Sequence, residues 1–291
     1  MLFASFSFCQ IPDAVISSSP IPRPSDSIPK VSHPHPYHVN YWLSGSIIVA
    51  GNVGNVLAIN RIKNKPVITD AEISSLNTTD LTGLDRWALK QDPLLRDHHD
   101  RMSDDVITST IILPFVLVLN KDIRHDWVNL LLMYAEAHAV VATIYNYSFL
   151  GPTFQNKFRP IVYYDSVPIG IRENGNNRNS FYSGHVATAA VATFMMTKIY
   201  CDFHPEIGAK KYLLYTAATL PPLAISYLRV KALKHFPSDN LVGLGVGAVC
   251  GIAIPALHRV KSDRVALGMF TTQDGGIGLS LNWRIDGEVG N

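Results

Sequence analysis

Long apolar runs separated by short polar joints dominate this chain. Six of them cover roughly 41–59, 106–119, 127–150, 184–200, 212–228 and 240–257. The run at 240–257, NLVGLGVGAVCGIAIPAL, carries no charge and approaches the ~20 residues a helix needs to cross a bilayer. The run at 106–119 is short and has Pro114 inside it, which marks it as the one least able to span. Glu136 and His138 interrupt the run at 127–150, and His185 and Lys198 that at 184–200. Together the six favour a helical membrane protein over a soluble bundle of unusually apolar helices. Only near the C-terminus does the period change. After the turn signal Asp274-Gly275, the residues Ile277, Leu279, Leu281 and Trp283 alternate with Gly, Ser and Asn, which predicts a short strand or hairpin packed on the helical body.

At the other end, MLFASFSFCQ is apolar and short, without a positive flank. It reads as the remnant of a signal peptide cut near Cys9 or Gln10. Residues 12–36 are rich in Pro and Ser and predict an extended tail. The organisation expected is therefore a tail over 1–38, a helical domain over 39–262 and a β-like tail over 263–291. The fold class is all-α: a bundle of about six apolar helices with a short C-terminal strand or hairpin.

Composition narrows the function. Charged residues make up 16% of the 291, against about 25% in an average soluble domain, and this excludes a disordered chain or a charged coiled coil. The net charge is +2 with no dense Lys/Arg stripe, so no nucleic-acid partner is expected. Three cysteines exclude a disulfide scaffold, and Cys201 and Cys250 read as packing residues. His98-His99 lacks a second ligand cluster, so it reads as part of a solvated loop in the polar stretch 60–105, with no metal site. If all six runs span, Lys121, Arg124, Lys210, Lys211, Arg259, Lys261 and Arg264 fall on one side, which the positive-inside rule makes cytoplasmic. The N-terminal tail then lies there too, which conflicts with a cleaved signal peptide unless one run, 106–119, stays out of the count.

The chemistry-bearing residues fall in three clusters, each at the edge of an apolar run. Lys157-Phe158-Arg159-Pro160 follows the third run. Asn179-Ser180-Phe181-Tyr182-Ser183-Gly184-His185 opens the fourth, and Arg229 through His235 to Asp239 joins the fifth to the sixth. Arginine presents a planar fork of donors that fits phosphate oxygens. Ser183 and Gly184 open a helix, where free N–H groups and the dipole favour an anion. His235 and Asp239 stand four apart, so they share a helical face, and the carboxylate is expected to fix the imidazole tautomer and leave the other nitrogen free to attack. His185 can then protonate the departing oxygen. Two histidines with distinct partners and three cations suit phosphoryl transfer through a phosphohistidine.

These clusters resemble the motifs of the type 2 phosphatidic acid phosphatase (PAP2) superfamily, which also holds bacterial nonspecific acid phosphatases and vanadium haloperoxidases. The resemblance spans about 105–257. Tyr182-Ser183-Gly184-His185 matches the second motif, and Arg229-(five residues)-His235-(three residues)-Asp239 matches the third in full spacing. Three positions depart: Pro152 stands where the family has its first lysine, Tyr182 replaces a proline, and Leu228 replaces a serine. The resemblance implies His235 as nucleophile, Asp239 as its partner and His185 as general acid. Arg159, Arg229, Ser183 and the Gly184 amide would hold the phosphoryl oxygens, with Lys157 added as a stand-in for the missing lysine. It further implies a bacterial inner-membrane phosphatase with its site facing the periplasm. Such an enzyme acts on a lipid phosphate or pyrophosphate, or another phosphomonoester, and needs no metal and no cofactor. The alternatives are a soluble periplasmic acid phosphatase, a vanadate-dependent haloperoxidase and an inactive lipid-binding homologue. Arg172 and Arg178 are further candidates for phosphate or sugar contacts.

Overall fold

A computed structural model describes residues 35–260 and the backbone of two strands at 265–271 and 277–283. The helix α1 (Tyr41–Lys63) starts at Asn40, whose side-chain oxygen accepts from the Trp42 and Leu43 amides at 3.1 and 3.2 Å. That cap satisfies two of the orphan donors of the first turn. Next come α2 (Arg96–Ile112) and α3 (Trp127–Tyr147). Then follow α4 (Gly184–Phe203), α5 (Lys211–Ala218), α6 (Leu220–Lys231) and α7 (Pro237–His258).

The apolar runs map onto these helices with two differences. First, the run at 106–119 is the rear half of a longer element. α2 begins at Arg96 inside the stretch read as polar joint, and Pro114 only tightens its continuation into a 3₁₀ turn over Leu113–Leu119. His98 and His99 therefore lie on a helix rather than a loop, their rings edge to face at 5.6 Å. Second, the run at 212–228 is two helices, α5 and α6, that meet at Thr219. Pro221 and Pro222 have no N–H to donate back across the joint, so the α-helical ladder stops there. Among the described residues, four stretches are long and apolar enough to cross a membrane: Tyr41–Lys63, Pro93–Leu119, Arg124–Tyr147 and Pro237–His258. The stretch suspected of being too short is thus one of the four, once its polar front is included.

The buried centre is α4. Val186, Ala187, Ala189, Ala190, Val191 and Ala192 are all withdrawn from solvent, the pattern of a helix enclosed on every side. Its partner α7 lies against it in the same direction, because Gly243, Gly247 and Gly251, four residues apart, face Ser183, Ala187 and Val191 in turn. A Cβ on Gly247 would stand 2.2 Å from the Ala187 carbonyl oxygen, and one on Gly243 would stand 2.5 Å from that of Ser183. Backbone therefore touches backbone, and the two helix N-termini are held at the same end of the bundle. α1 and α3 also run side by side in one direction. Tyr41 bonds Asn129 at 3.1 Å near one end, and the buried Asn55 accepts from Asn146 at 2.9 Å near the other. The C-terminal hairpin is present: Val265–Thr271 and Ile277–Trp283 pair antiparallel, with Val265 opposite Trp283. Its turn at Asp274-Gly275, its expected packing on the helices, the Pro/Ser tail and the signal-peptide remnant lie outside the described residues. Both described cysteines are free, Cys250 buried and Cys201 partly so.

The glycine face gives a direct test. Gly247→Ala forces a methyl into the Ala187 carbonyl, and overpacking of this kind costs about 1–3 kcal/mol. The thermal midpoint of the purified variant should fall measurably, whereas Gly245→Ala, which has open space around it, should leave it in place. Equal midpoints for the two variants would refute the close helix contact.

Candidate active site

Parallel packing of α4 and α7 puts Ser183, Gly184 and His185 beside His235 and Asp239. Between them runs the loop 148–183, which leaves α3 at the same end. Its backbone is stitched to itself: Ser180 donates to the Lys157 carbonyl at 2.9 Å, and Arg159 donates to that of Asn177 at 2.8 Å. The first two sequence clusters are therefore adjacent strands of one loop. Ser183 in turn donates its N–H to the Asp239 carbonyl at 3.1 Å, which joins the second cluster to the third.

His235 is buried. Its Nδ1 lies 2.5 Å from the Ser180 carbonyl oxygen. A carbonyl can only accept, so Nδ1 carries the proton and Nε2 holds the free lone pair. Asp239 was expected to do this by sharing a face with His235, and it does not. Its carboxylate turns the other way, accepting from Ser180 Oγ and Lys157 Nζ, both at 2.6 Å, and from the Phe236 N–H at 2.9 Å. Asp239 thus acts on the imidazole through Ser180, whose side chain it grips while the Ser180 carbonyl grips the ring. The residue before Pro237 in this helix start needs its N–H satisfied, and the nearest acid supplies the acceptor.

Lys157 is committed to that arrangement. Besides Asp239 it bonds Ser238 Oγ at 3.1 Å, lies 3.6 Å from the buried Asp85 carboxylate and sits 4.8 Å from the centre of the Phe236 ring. Arg172 and Arg178 are committed elsewhere. Arg178 clamps Glu72 at 2.7 and 2.8 Å and the carbonyls of Pro66 and Val67, and Arg172 bonds Val162 and Asp165. Arg178 braces the loop against residues 66–72, and Arg172 ties the loop to itself.

Two guanidiniums face the histidines. Arg159 and Arg229 are both buried, and the Nε of each has no partner among the described residues; neither does Ser183 Oγ. Burial first, and then the Arg229 charge, pull the Arg159 guanidinium down to about 10, which leaves it charged at neutral pH. Unpartnered buried donors are costly. Three in one cluster, two of them on cations, describe a seat for an anion. At its mouth His185 Nε2 pairs with Asp104 Oδ1 at 3.1 Å. Arg229 holds Asp100 at 2.6 Å and Ser103 at 3.1 Å. Gly184 is pressed by the Tyr145 ring, which a Cβ would meet at 3.3 Å. Among the described residues no three His, Cys, Asp or Glu side chains stand together as a metal site.

Sequence reasoning missed Asp100, Ser103 and Asp104, because 60–105 was read as a joint. Their spacing of three and four puts them on one helical face, and that was the available signal. Ser180 contributes a backbone carbonyl, and Lys234 lies one residue before His235; neither carried a signal.

What the fold and site define is a helical protein with a deep cationic anion seat beside two histidines. Residues 126–263 match the model of the PAP2 superfamily. A transmembrane PAP2-type phosphatidylglycerolphosphate phosphatase from Bacillus subtilis is a similar solved structure. It shares 16% identity, the match covers 73% of this chain and 96% of that one, and the TM-score is 0.41. No curated protein matches the chain.

Burial, with Arg229 and Arg159 next in weight, holds the His235 imidazolium well below its ordinary 6.5, against a smaller opposite pull from the Ser180 carbonyl. The neutral ring is the folded form, so its contribution to stability is in place above 6.5 and fades only as the pH falls toward the lowered value. If His235 is the nucleophile, the acid limb of kcat/KM should therefore lie well under 6.5. An acid limb at 6.5 or above that disappears in His235→Ala would contradict this.

Proposed function

We propose that this chain is a phosphatase that cleaves a phosphate or pyrophosphate monoester of a membrane lipid through a phosphohistidine on His235. The observation that carries the reading is the set of unpartnered Arg159, Arg229 and Ser183 donors around a histidine whose free nitrogen is defined by the Ser180 carbonyl. A phosphoryl group seated on the two guanidiniums, Ser183 Oγ and the Gly184 amide presents phosphorus to His235 Nε2. The lone pair forms the N–P bond as the bond to the ester oxygen breaks, and His185 gives that oxygen its proton. Burial and then the Arg229 charge pull the His185 imidazolium down to about 4, while Asp104, bonded to its Nε2, pulls the other way, toward the protonated ring that this step needs. Water then attacks the phosphohistidine, His185 takes its proton, and phosphate leaves with His235 restored. The cations are placed before the reaction and need not reorganise, which is where electrostatic catalysis gains most. Nothing in this cycle uses a metal or a cofactor.

Two observations support a lipid as the leaving group. Helix α1 presents Val49, Val53, Val56 and Leu57 outward, each more than half exposed, which suits a hydrocarbon surrounding better than water. A mostly apolar recess of about 220 Å³, lined by Asn55, Ile59, Val141, Ala142, Tyr145 and Ala187 among others, opens between α1, α3 and α4 and reaches Gly184. A chain lying there would deliver its headgroup to the anion seat. The end of the bundle away from the site carries Lys121, Arg124, Lys210, Lys211 and Arg259. The site end carries more of them, among them Arg61, Lys63, Lys65, Arg86, Lys90, Arg96 and Lys231, so the positive-inside rule does not assign the sides, and the periplasmic placement of the site rests on the resemblance to bacterial members of the family. Tyr37 and His38 are anchored at the end away from the site, through Asp202 and the His258 carbonyl.

Purified protein in detergent should release phosphate from phosphatidate or an isoprenoid pyrophosphate with chelator present, and His235→Ala should reduce the rate roughly 10³-fold or more. An acid-labile, base-stable phosphoprotein should be trapped from the wild type and not from the variant. Release that survives the substitution would overturn the assignment of the nucleophile. Carbonate extraction should leave the protein with the membrane fraction.

A further inference from the structure

Lys157, the cation expected to replace the missing lysine, is engaged by two buried carboxylates. Another lysine shares a carboxylate with Arg229 of the anion seat. α6 ends at Lys231 in a Schellman turn: Leu233 donates to the Val230 carbonyl at 3.0 Å and Lys234 to the Arg229 carbonyl at 3.1 Å. This turn requires a left-handed residue, and Leu233 takes φ 56° although it is not glycine. Its side chain is fully buried with Ile68, Ile161, Val162 and Val167, which holds the strained residue in place. The effect is to fold Lys234 back over Arg229, one residue before His235. There the Asp100 carboxylate bridges the two cations, with Oδ1 on Arg229 at 2.6 Å and Oδ2 on Lys234 Nζ at 2.8 Å. A two-oxygen anion with one oxygen on each cation is the arrangement a phosphoryl group would make. The Lys234 and Asp100 side chains are both partly exposed, at 31% and 25%, so an entering anion can reach them.

We propose that Lys234 is a phosphate-binding residue of this site, and that Asp100 is the resident counter-ion which phosphate displaces from Lys234 and Arg229. A phosphomonoester carries nearly twice the charge of a carboxylate, and with Arg159 it gains a third cation that Asp100 does not bond. The exchange is therefore downhill for a phosphoryl dianion and unfavourable for a singly charged competitor. The substrate class selected is a terminal, doubly charged phosphate over an internal diester. The inference rests on the phosphatase reading for its substrate, but the binding claim can be measured without turnover.

The test titrates inorganic phosphate, and separately orthovanadate, into the purified full chain in detergent by calorimetry. Wild type, Lys234→Met, Lys234→Arg, Asp100→Asn and Lys157→Met are compared, each with its thermal midpoint. Lys234→Met should weaken phosphate binding roughly tenfold to a hundredfold, the loss of one charge-assisted contact. Lys234→Arg should recover most of it, and Asp100→Asn should tighten it several-fold because the competing charge is gone. Lys157→Met should lower turnover more than it changes phosphate affinity. Phosphate affinity unchanged in Lys234→Met would overturn the proposal, as would weaker binding in a stably folded Asp100→Asn. If Lys234→Met fails to fold, the Lys234→Arg and Asp100→Asn affinities decide the same question. Wild type that binds phosphate without hydrolysing any ester would sink the phosphatase reading and leave Lys234 standing. Wild type that binds neither anion would sink both.

Discussion

One carboxylate out of contact with solvent, that of Asp239, is the constraint to which the rest of the site answers. A charge buried this way costs several kcal/mol unless partners surround it. Here Lys157 Nζ, Ser180 Oγ and the Phe236 N–H do so, and the Asp239 carbonyl accepts from the Ser183 N–H as well. Those partners come from all three motif clusters. Satisfying a single acid therefore fixes the first loop strand to the second, and both to the start of α7. His235 inherits its tautomer from this: the Ser180 that gives its hydroxyl to Asp239 gives its carbonyl to the imidazole. Asp85 adds to the same knot by accepting from the Ser238 N–H and hydroxyl at 2.9 and 2.7 Å. Removal of the Asp239 charge would release a lysine, a serine and a loop together, so its influence on His235 is long-range in cause and local in effect.

The glycine face between α4 and α7 supplies the other half of the geometry. Helices carrying ordinary side chains pack with axes 8–10 Å apart, and their termini are free to settle at different heights. Backbone contact at Gly243 and Gly247 removes that freedom and sets Ser183 level with Asp239. The anion seat can then be assembled from elements distant in sequence. The cations need this rigidity because Arg159 and Arg229 repel one another. They stay together because Asp100 and Ser103 of α2 hold Arg229 from outside, while the loop backbone holds Arg159. Helix α2 is thus as much a part of the anion seat as the motif helices, although it lies outside the segment that matches the family model.

How much of this could be read in the sequence follows from which interactions are local. Four apolar runs became helices with nearly the expected bounds, because apolar length is a local property. The run at 212–228 hid a break that only the missing amides of Pro221 and Pro222 create. The run at 106–119 hid ten residues, all polar but Met102, that continue its helix, since a helix front facing a charged site has no reason to be apolar. Arg159, Ser183, His185, Arg229 and His235 were named from motif spacing, and they do converge at one end of the bundle. The partner of His235 was misread because spacing of four places two side chains on one face without saying where either points. Asp239 turned toward a lysine, and a backbone carbonyl, which no side-chain pattern encodes, took its place. Lys234 was invisible for a related reason: its position depends on Leu233 adopting a left-handed turn usually left to glycine.

The anion seat sits at the level where the apolar helices stop, and this position follows from the cost of burying charge. Two guanidiniums and a lysine in the middle of a membrane would each carry a large desolvation penalty. At the helix ends, loop carbonyls, the α2 acids and the open mouth at His185 lower that penalty while the walls stay dry enough to strengthen each contact. The same level is where a lipid keeps its phosphate. Its hydrocarbon can remain beside α1 and α3, so little apolar surface need be exposed to water for the headgroup to reach His235. A soluble phosphoester gains nothing from that arrangement, since it brings no apolar part to match the recess at Gly184. Under the proposed lipid-phosphatase reading, the fold would discriminate by where the substrate's charge sits relative to its hydrocarbon, before any contact to the headgroup is made.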